Sequence, residues 1–133
     1  MATILVKNEQ SSRKTPDGRD RVFLVGKDVT GSKHLAADVV TYSPGARNKY
    51  HYHKSESFIY IIEGDCEITI NGNKHRLGKE TMIYLDPGDK HYIKNVGKTN
   101  MVMFEAFAPQ EYAASIWTDP SAPHEWIKME RKH

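Results

Sequence analysis

The chain has 133 residues, with 19 Lys and Arg against 17 Asp and Glu and a formal charge of +2. That length suits one domain with a single sizeable core, and the near-balanced charge argues against a nucleic-acid or membrane-surface partner. Cys66 is the one cysteine, so no intramolecular disulfide can form. No apolar run reaches the length of a signal-peptide core or a membrane span. The expectation is a soluble cytoplasmic protein.

In chain order, Ile4, Leu5 and Val6 make a short apolar stretch that suits a first strand, one that a partner subunit can exchange. Residues 8–20 are polar, with the turn signal Pro16-Asp17-Gly18, and read as a loop. A strand is predicted over 22–25, ended by Gly26, and a turn over 28–33 with Gly31-Ser32 at its tip. A longer strand over 35–42 stops at Ser43-Pro44-Gly45, which swings the chain into PGARNKYHYHKSESFIYIIEG, residues 44–64.

At the centre of that segment stands His51-Tyr52-His53. On an extended chain, residues two apart point to one face, so the two imidazoles converge, and neutral imidazole is a common ligand of divalent metals. Residues 58–62 are β-branched and aromatic throughout, which predicts a strand covered on both faces. Ile59 and Ile61 continue the parity of the histidines toward a barrel interior, leaving Phe58, Tyr60 and Ile62 outside as an apolar patch. The tail with Ile116, Trp117 and Trp126 can cover this patch within one chain, or a second subunit can; the expectation is the second, a homodimer.

Residues 66–70 alternate, with Cys66, Ile68 and Ile70 inward, so Cys66 reads as a packed thiol. Asn71-Gly72 is a type I′ hairpin signal, because both central residues of that turn need positive φ. Strands follow over 74–77, 82–85, 91–96 and 101–107, separated by Gly78, Asp86-Pro87-Gly88 and Gly97. Many short strands with turn signals between them mean an all-β barrel or sandwich. Beyond Pro109, residues 109–117 suit a short helix and 118–123 break regular structure. Trp117 and Trp126 mark a tail that docks on a surface.

Two ordered motifs, covering about residues 39–107, resemble the cupin superfamily of small β-barrels. Gly45, His51, His53 and Gly64 match the spacing of the first cupin motif. Gly88, His91 and Asn95 match the second, with Asp86 where a proline usually stands. The resemblance implies a small single-domain cupin of RmlC-like jelly-roll type, a double-stranded β-helix. Its domain is 1–133, with a core barrel over about 22–108 and a short helical or irregular tail over 109–133. It also implies a divalent metal ion (Fe, Zn, Mn or Ni) held by His51, His53 and His91, with a small molecule as ligand. One departure stands out. At the position separated from Gly64 by six residues, where the family carries a metal-binding glutamate, this chain has Ser57, with Glu56 one position early. A one-residue offset on a strand turns a side chain to the opposite face, so Glu56 reaches the metal only through a bulge.

Two further residues are candidates for catalysis. Glu105 lies in the apolar strand MVMFEAF, where a carboxylate is costly to bury unpaired, so either that part of the face meets water or Glu105 points into a polar pocket and serves acid–base chemistry. Tyr50, read as sharing the face of His51 and His53, is expected to offer a phenol near the metal, as is Tyr84 or Tyr92 where local geometry departs from simple alternation. His75, His34, His124 and His133 read as solvated strand, loop or tail residues. The functional expectation is a metalloprotein acting on a small oxygen-bearing substrate as a dioxygenase, isomerase or lyase. The alternative is a metal-free module that binds a small sugar or acid.

Overall fold

The computed structural model describes residues 2–110 and the backbone of 115–116. Eleven strands follow in order: β1 Arg13–Lys14, β2 Arg19–Val25, β3 Ala36–Tyr42, β4 His51–Tyr52, β5 Glu56–Glu63, β6 Cys66–Ile70, β7 Asn73–Leu77, β8 Met82–Leu85, β9 His91–Lys94, β10 Met101–Ala108 and β11 Ser115–Ile116. They form a six-stranded sheet in the order β1-β2-β3-β10-β5-β8 and a five-stranded sheet in the order β11-β4-β9-β6-β7. All pairings are antiparallel, and the sequence-distant neighbours, such as β3 with β10 and β4 with β9, are those of a jelly roll. Among the described residues no helix is long and apolar enough to cross a membrane.

Alternation decides what enters the space between the sheets. On β5, Ser57, Ile59 and Ile61 are buried, whereas Glu56, Phe58, Tyr60 and Ile62 are exposed. Ile59 and Ile61 join Val40, Tyr42, Cys66, Ile68, Ile83, Leu85, Ile93, Met101 and Met103 in one core. The predicted inward and outward sets of residues 58–62 are those observed.

The motif residues that carry no chemistry make corners. Gly64 has φ +84°, and a Cβ there would lie 2.6 Å from the Asn100 carbonyl oxygen, so no side chain fits between β5 and the start of β10. Asn95, 1% exposed, donates from its amide to the Tyr42 and Thr99 carbonyls and accepts from the Gly97 N–H. Those three bonds fold the turn after β9 onto the end of β3. Asn71 and Gly72 both have positive φ, as the type I′ turn requires.

Three expectations are corrected. Residues 4–6 form no strand; Ile4 and Val6 are exposed and a 3-10 turn, Lys7–Glu9, follows. The polar segment 8–20 is not all loop, because β1 pairs with β2 around the Pro16-Asp17-Gly18 turn. Over 109–117 a helix fails at its C-terminal part, where β11 adds to the edge of β4 with Ile116 opposite His51. A strand edge with unpaired N–H and C=O groups recruits extended chain irrespective of helix propensity. Trp117 and Trp126 lie outside the described residues.

Candidate metal centre

His51 opens β4 and His91 opens β9, and the two are direct partners across that ladder. Ring centroids are 4.3 Å apart for His51 and His91, 4.9 Å for His51 and His53, and 5.8 Å for His53 and His91. One ring nitrogen from each lies within 4.8 Å of the other two, and all three residues are buried. Two of the rings have fixed tautomers. His51 Nδ1 lies 2.6 Å from the Lys49 carbonyl oxygen and His91 Nδ1 lies 2.9 Å from that of Asp89. A carbonyl only accepts, so Nδ1 carries the proton and Nε2 keeps its lone pair. A backbone carbonyl behind a ligating imidazole is the usual outer partner at metal sites. Buried convergence, ligand spacing and tautomer all fit a divalent ion.

Ser57 faces the interior and Glu56 does not. The ladder at this point is unbroken, with Ser57 opposite Phe107 on one side and Leu85 on the other. Glu56 is exposed and accepts a 2.8 Å hydrogen bond from the Tyr84 hydroxyl; that bond first, with the charges of Glu56 and Asp86 beside it, raises the Tyr84 pKa to about 12. No bulge re-aims Glu56, and among the described residues the ligating group closes at three histidines.

Glu105 lies on the inward face of β10, between Met103 and Phe107. Asp38 of β3 and Ile59 of β5 are its cross-strand partners. Its carboxylate is paired: Arg21 Nη2 donates to Glu105 Oε2 at 2.8 Å, while Arg21 Nε sits 2.9 Å from Asp38 Oδ2. Asp38 is fully buried and Arg21 nearly so, and the guanidinium also lies over the Phe23 ring. Phe107, the next inward residue after Glu105, stacks on His53 with centroids 5.6 Å apart and planes 13° apart. The ion triad is thus one side chain removed from the histidines.

Arg21 and Asp38 escaped the sequence reading, as did Lys49, buried two residues before His51. The signal for Asp38 was the same one that marked Glu105, a lone acid inside an apolar strand.

Tyr50 is not brought to the histidines. Its ring packs edge-on against Tyr92, centroids 5.3 Å apart, and its hydroxyl accepts the Gly72 N–H at 3.0 Å. Tyr92 alternates between the inward His91 and Ile93, so this pair lies on the opposite side of the sheet. The physical reason is parity: Tyr50 is one residue, not two, from His51. His75 is exposed on β7, as expected.

Comparison with known proteins agrees with this architecture. Residues 38–107 match the model of the Cupin domain family. The chain is 30% identical over 82 residues to the tetracenomycin polyketide synthase protein TcmJ of Streptomyces glaucescens, covering 59% of this chain and 55% of that protein. It is 28% identical over 120 residues to the polyketide synthase protein CurC of Streptomyces cyaneus, covering 89% of this chain and 77% of CurC. The polyketide cyclase RemF of Streptomyces resistomycificus superposes with a TM-score of 0.79 at 14% identity, over 98% of this chain and 96% of RemF. With both motifs seated as described and the family model matching more than half its length, the chain belongs to the cupin family.

Proposed function

We propose that this cupin binds one divalent metal ion through His51, His53 and His91 and acts on a small oxygen-bearing molecule, a polyketide-type polyketone or phenol being the leading class. The observation that carries the reading is the pair of carbonyl-tied imidazoles, which present Nε2 lone pairs into one buried space. A bound ion would supply Lewis acidity, with positions left open to substrate. The chain's own residues do the rest. The three histidines orient the site, Phe107 walls it, and Glu105, aimed by Arg21, accepts or returns a proton. The substrate class draws on the polyketide proteins among the relatives, TcmJ, CurC and RemF.

The apolar outer face is proposed as a homodimer contact. Among the described residues Phe58, Tyr60, Ile62, Met82 and Tyr84 are 36–57% exposed on adjacent strands, a continuous apolar surface that a second copy of the chain would cover. A cytoplasmic location is proposed from the lone Cys66, whose burial pushes its thiol pKa up to about 11.

A second reading, a metal-free small-molecule binder, is favoured by one observation: an inward Ser57 where the family carries an anionic ligand. Metal analysis after purification without chelators separates the two. Near-stoichiometric metal, lost in His51→Ala and His91→Ala, supports the enzyme. Absence of metal from every preparation, with no uptake on dialysis, supports the binder.

A further inference from the structure

Arg21 points into the barrel toward Asp38, so its neighbour Asp20 stands on the outer face of the six-stranded sheet. There one polar row crosses three strands. Lys14 of β1 and Thr41 of β3 are the direct cross-strand partners of Asp20 on β2, with about 4.8 Å between neighbouring strands. Ser43 lies two residues beyond Thr41 on the same side, and Asn100 is level with it, because Met101 pairs with Tyr42. These five side chains, with Thr15, Gly18 and Arg19, line a groove of about 330 Å³. Its polar groups do not satisfy one another. Lys14 and Asp20 carry opposite charges on one rung, yet among the described residues no ion pair joins them. Asp20 Oδ1 is shut away with no hydrogen-bond partner, and Oδ2, the oxygen left to the groove, takes no donor among the described residues either. The side chains of Thr41 and Asn100 likewise make no hydrogen bond there. Ser43 donates its hydroxyl to the Gly18 carbonyl at 2.9 Å and keeps its lone pairs. A half-buried carboxylate without donors is costly, so a molecule that brings donors to Asp20 is stabilised in this groove.

Charge decides the class of that molecule. The charges of Lys14 and Asp20 cancel, and Arg19, the other cation of the lining, is paired with Asp17 at 2.8 Å. The groove therefore has no net pull on an ion: an anion meets Asp20 and a cation meets Lys14. Its volume is at the small end of the range for ligand pockets, about 300–1,000 Å³, and no aromatic ring lines it. We infer that this groove is a second binding site, for a neutral polyol of monosaccharide size, whose hydroxyls donate to Asp20 and accept from Lys14 and Asn100. The inference does not depend on the metal reading, because no histidine lines the groove.

The test is an NMR titration of the isotope-labelled whole chain with methyl glucoside, glucosamine and glucuronate, which share a ring skeleton and differ in charge. The expected result is a saturable shift of the Lys14, Asp20, Thr41 and Asn100 amides, with the neutral sugar bound more tightly than either ion. Asp20→Asn keeps the shape of the side chain and removes its charge, and is expected to weaken methyl glucoside binding about tenfold, as loss of a hydrogen bond to a charged group does. The three-ligand comparison in the wild type decides the matter by itself if that variant does not fold. No saturable shift, tighter binding of glucosamine or glucuronate, shifts confined to the amides of His51, His53 and His91, or unchanged affinity in a folded Asp20→Asn would overturn the inference.

Discussion

His51 and His91 face each other across a single rung of the β4–β9 ladder, and each is pinned through Nδ1 by the carbonyl two residues before it, Lys49 and Asp89. The symmetry is a consequence of the strands. Each histidine opens its strand, so the preceding backbone bends back to meet the ring. Both Nε2 atoms are thereby oriented before any ion arrives, which lowers the ordering cost of binding.

Loss of one ligand should therefore be severe and local. His91→Ala is expected to weaken Zn(II) or Co(II) binding at least about 100-fold, more than outer partners of metal ligands typically contribute. His75→Ala, on exposed β7, should leave it unchanged. Thermal unfolding reports the same contrast, because an ion at about 100 times its Kd stabilises the wild type by about 2.7 kcal/mol and stabilises His91→Ala far less.

Ser57→Glu restores a carboxylate at an inward, buried position of β5. Equilibrium competition with a chromophoric chelator should show metal affinity about tenfold or more tighter, while Glu56→Gln, on the outer face, changes nothing. Equal affinities for Ser57→Glu and wild type would show that position 57 does not face the ion.

The outward face of β5 and β8 should hold two chains together. Sedimentation at micromolar concentration is expected to give a dimer, and Tyr60→Lys with Ile62→Glu, both exposed in one chain, should give a monomer of unchanged secondary structure. A wild-type species of 15.2 kDa would contradict the dimer.

Cys66 makes stability fall at alkaline pH. Burial, helped by the Asp65 charge, raises its thiol pKa to about 11. An unfolded cysteine ionises near about 8.5. Between those values the folded chain holds the proton and the unfolded chain does not, so the stabilisation present below the unfolded value is lost as pH rises. The loss is about 3 kcal/mol across that window. Denaturant titrations at pH 8 and pH 10.5 should show a smaller decline for Cys66→Ala than for wild type.

Much of this molecule was legible in the chain. Period-2 alternation sorted 58–62 and 66–70 into inward and outward sets, and glycines at turns of positive φ marked the corners. The histidine triad followed from parity plus one motif. The ion triad did not, because Arg21, Asp38 and Glu105 are far apart in sequence and meet only through the order β2-β3-β10. Tyr50 was misplaced by a parity slip of one residue, and β11 was missed because its pairing depends on an open edge at β4 rather than on local propensity.

The most direct test of the metal centre is X-ray absorption at the metal edge of the loaded, full-length protein. The account predicts three imidazole nitrogens at about 2.0–2.2 Å, falling to two in His53→Ala. A first shell with fewer than three imidazoles in the wild type, or one unchanged by that substitution, would contradict it.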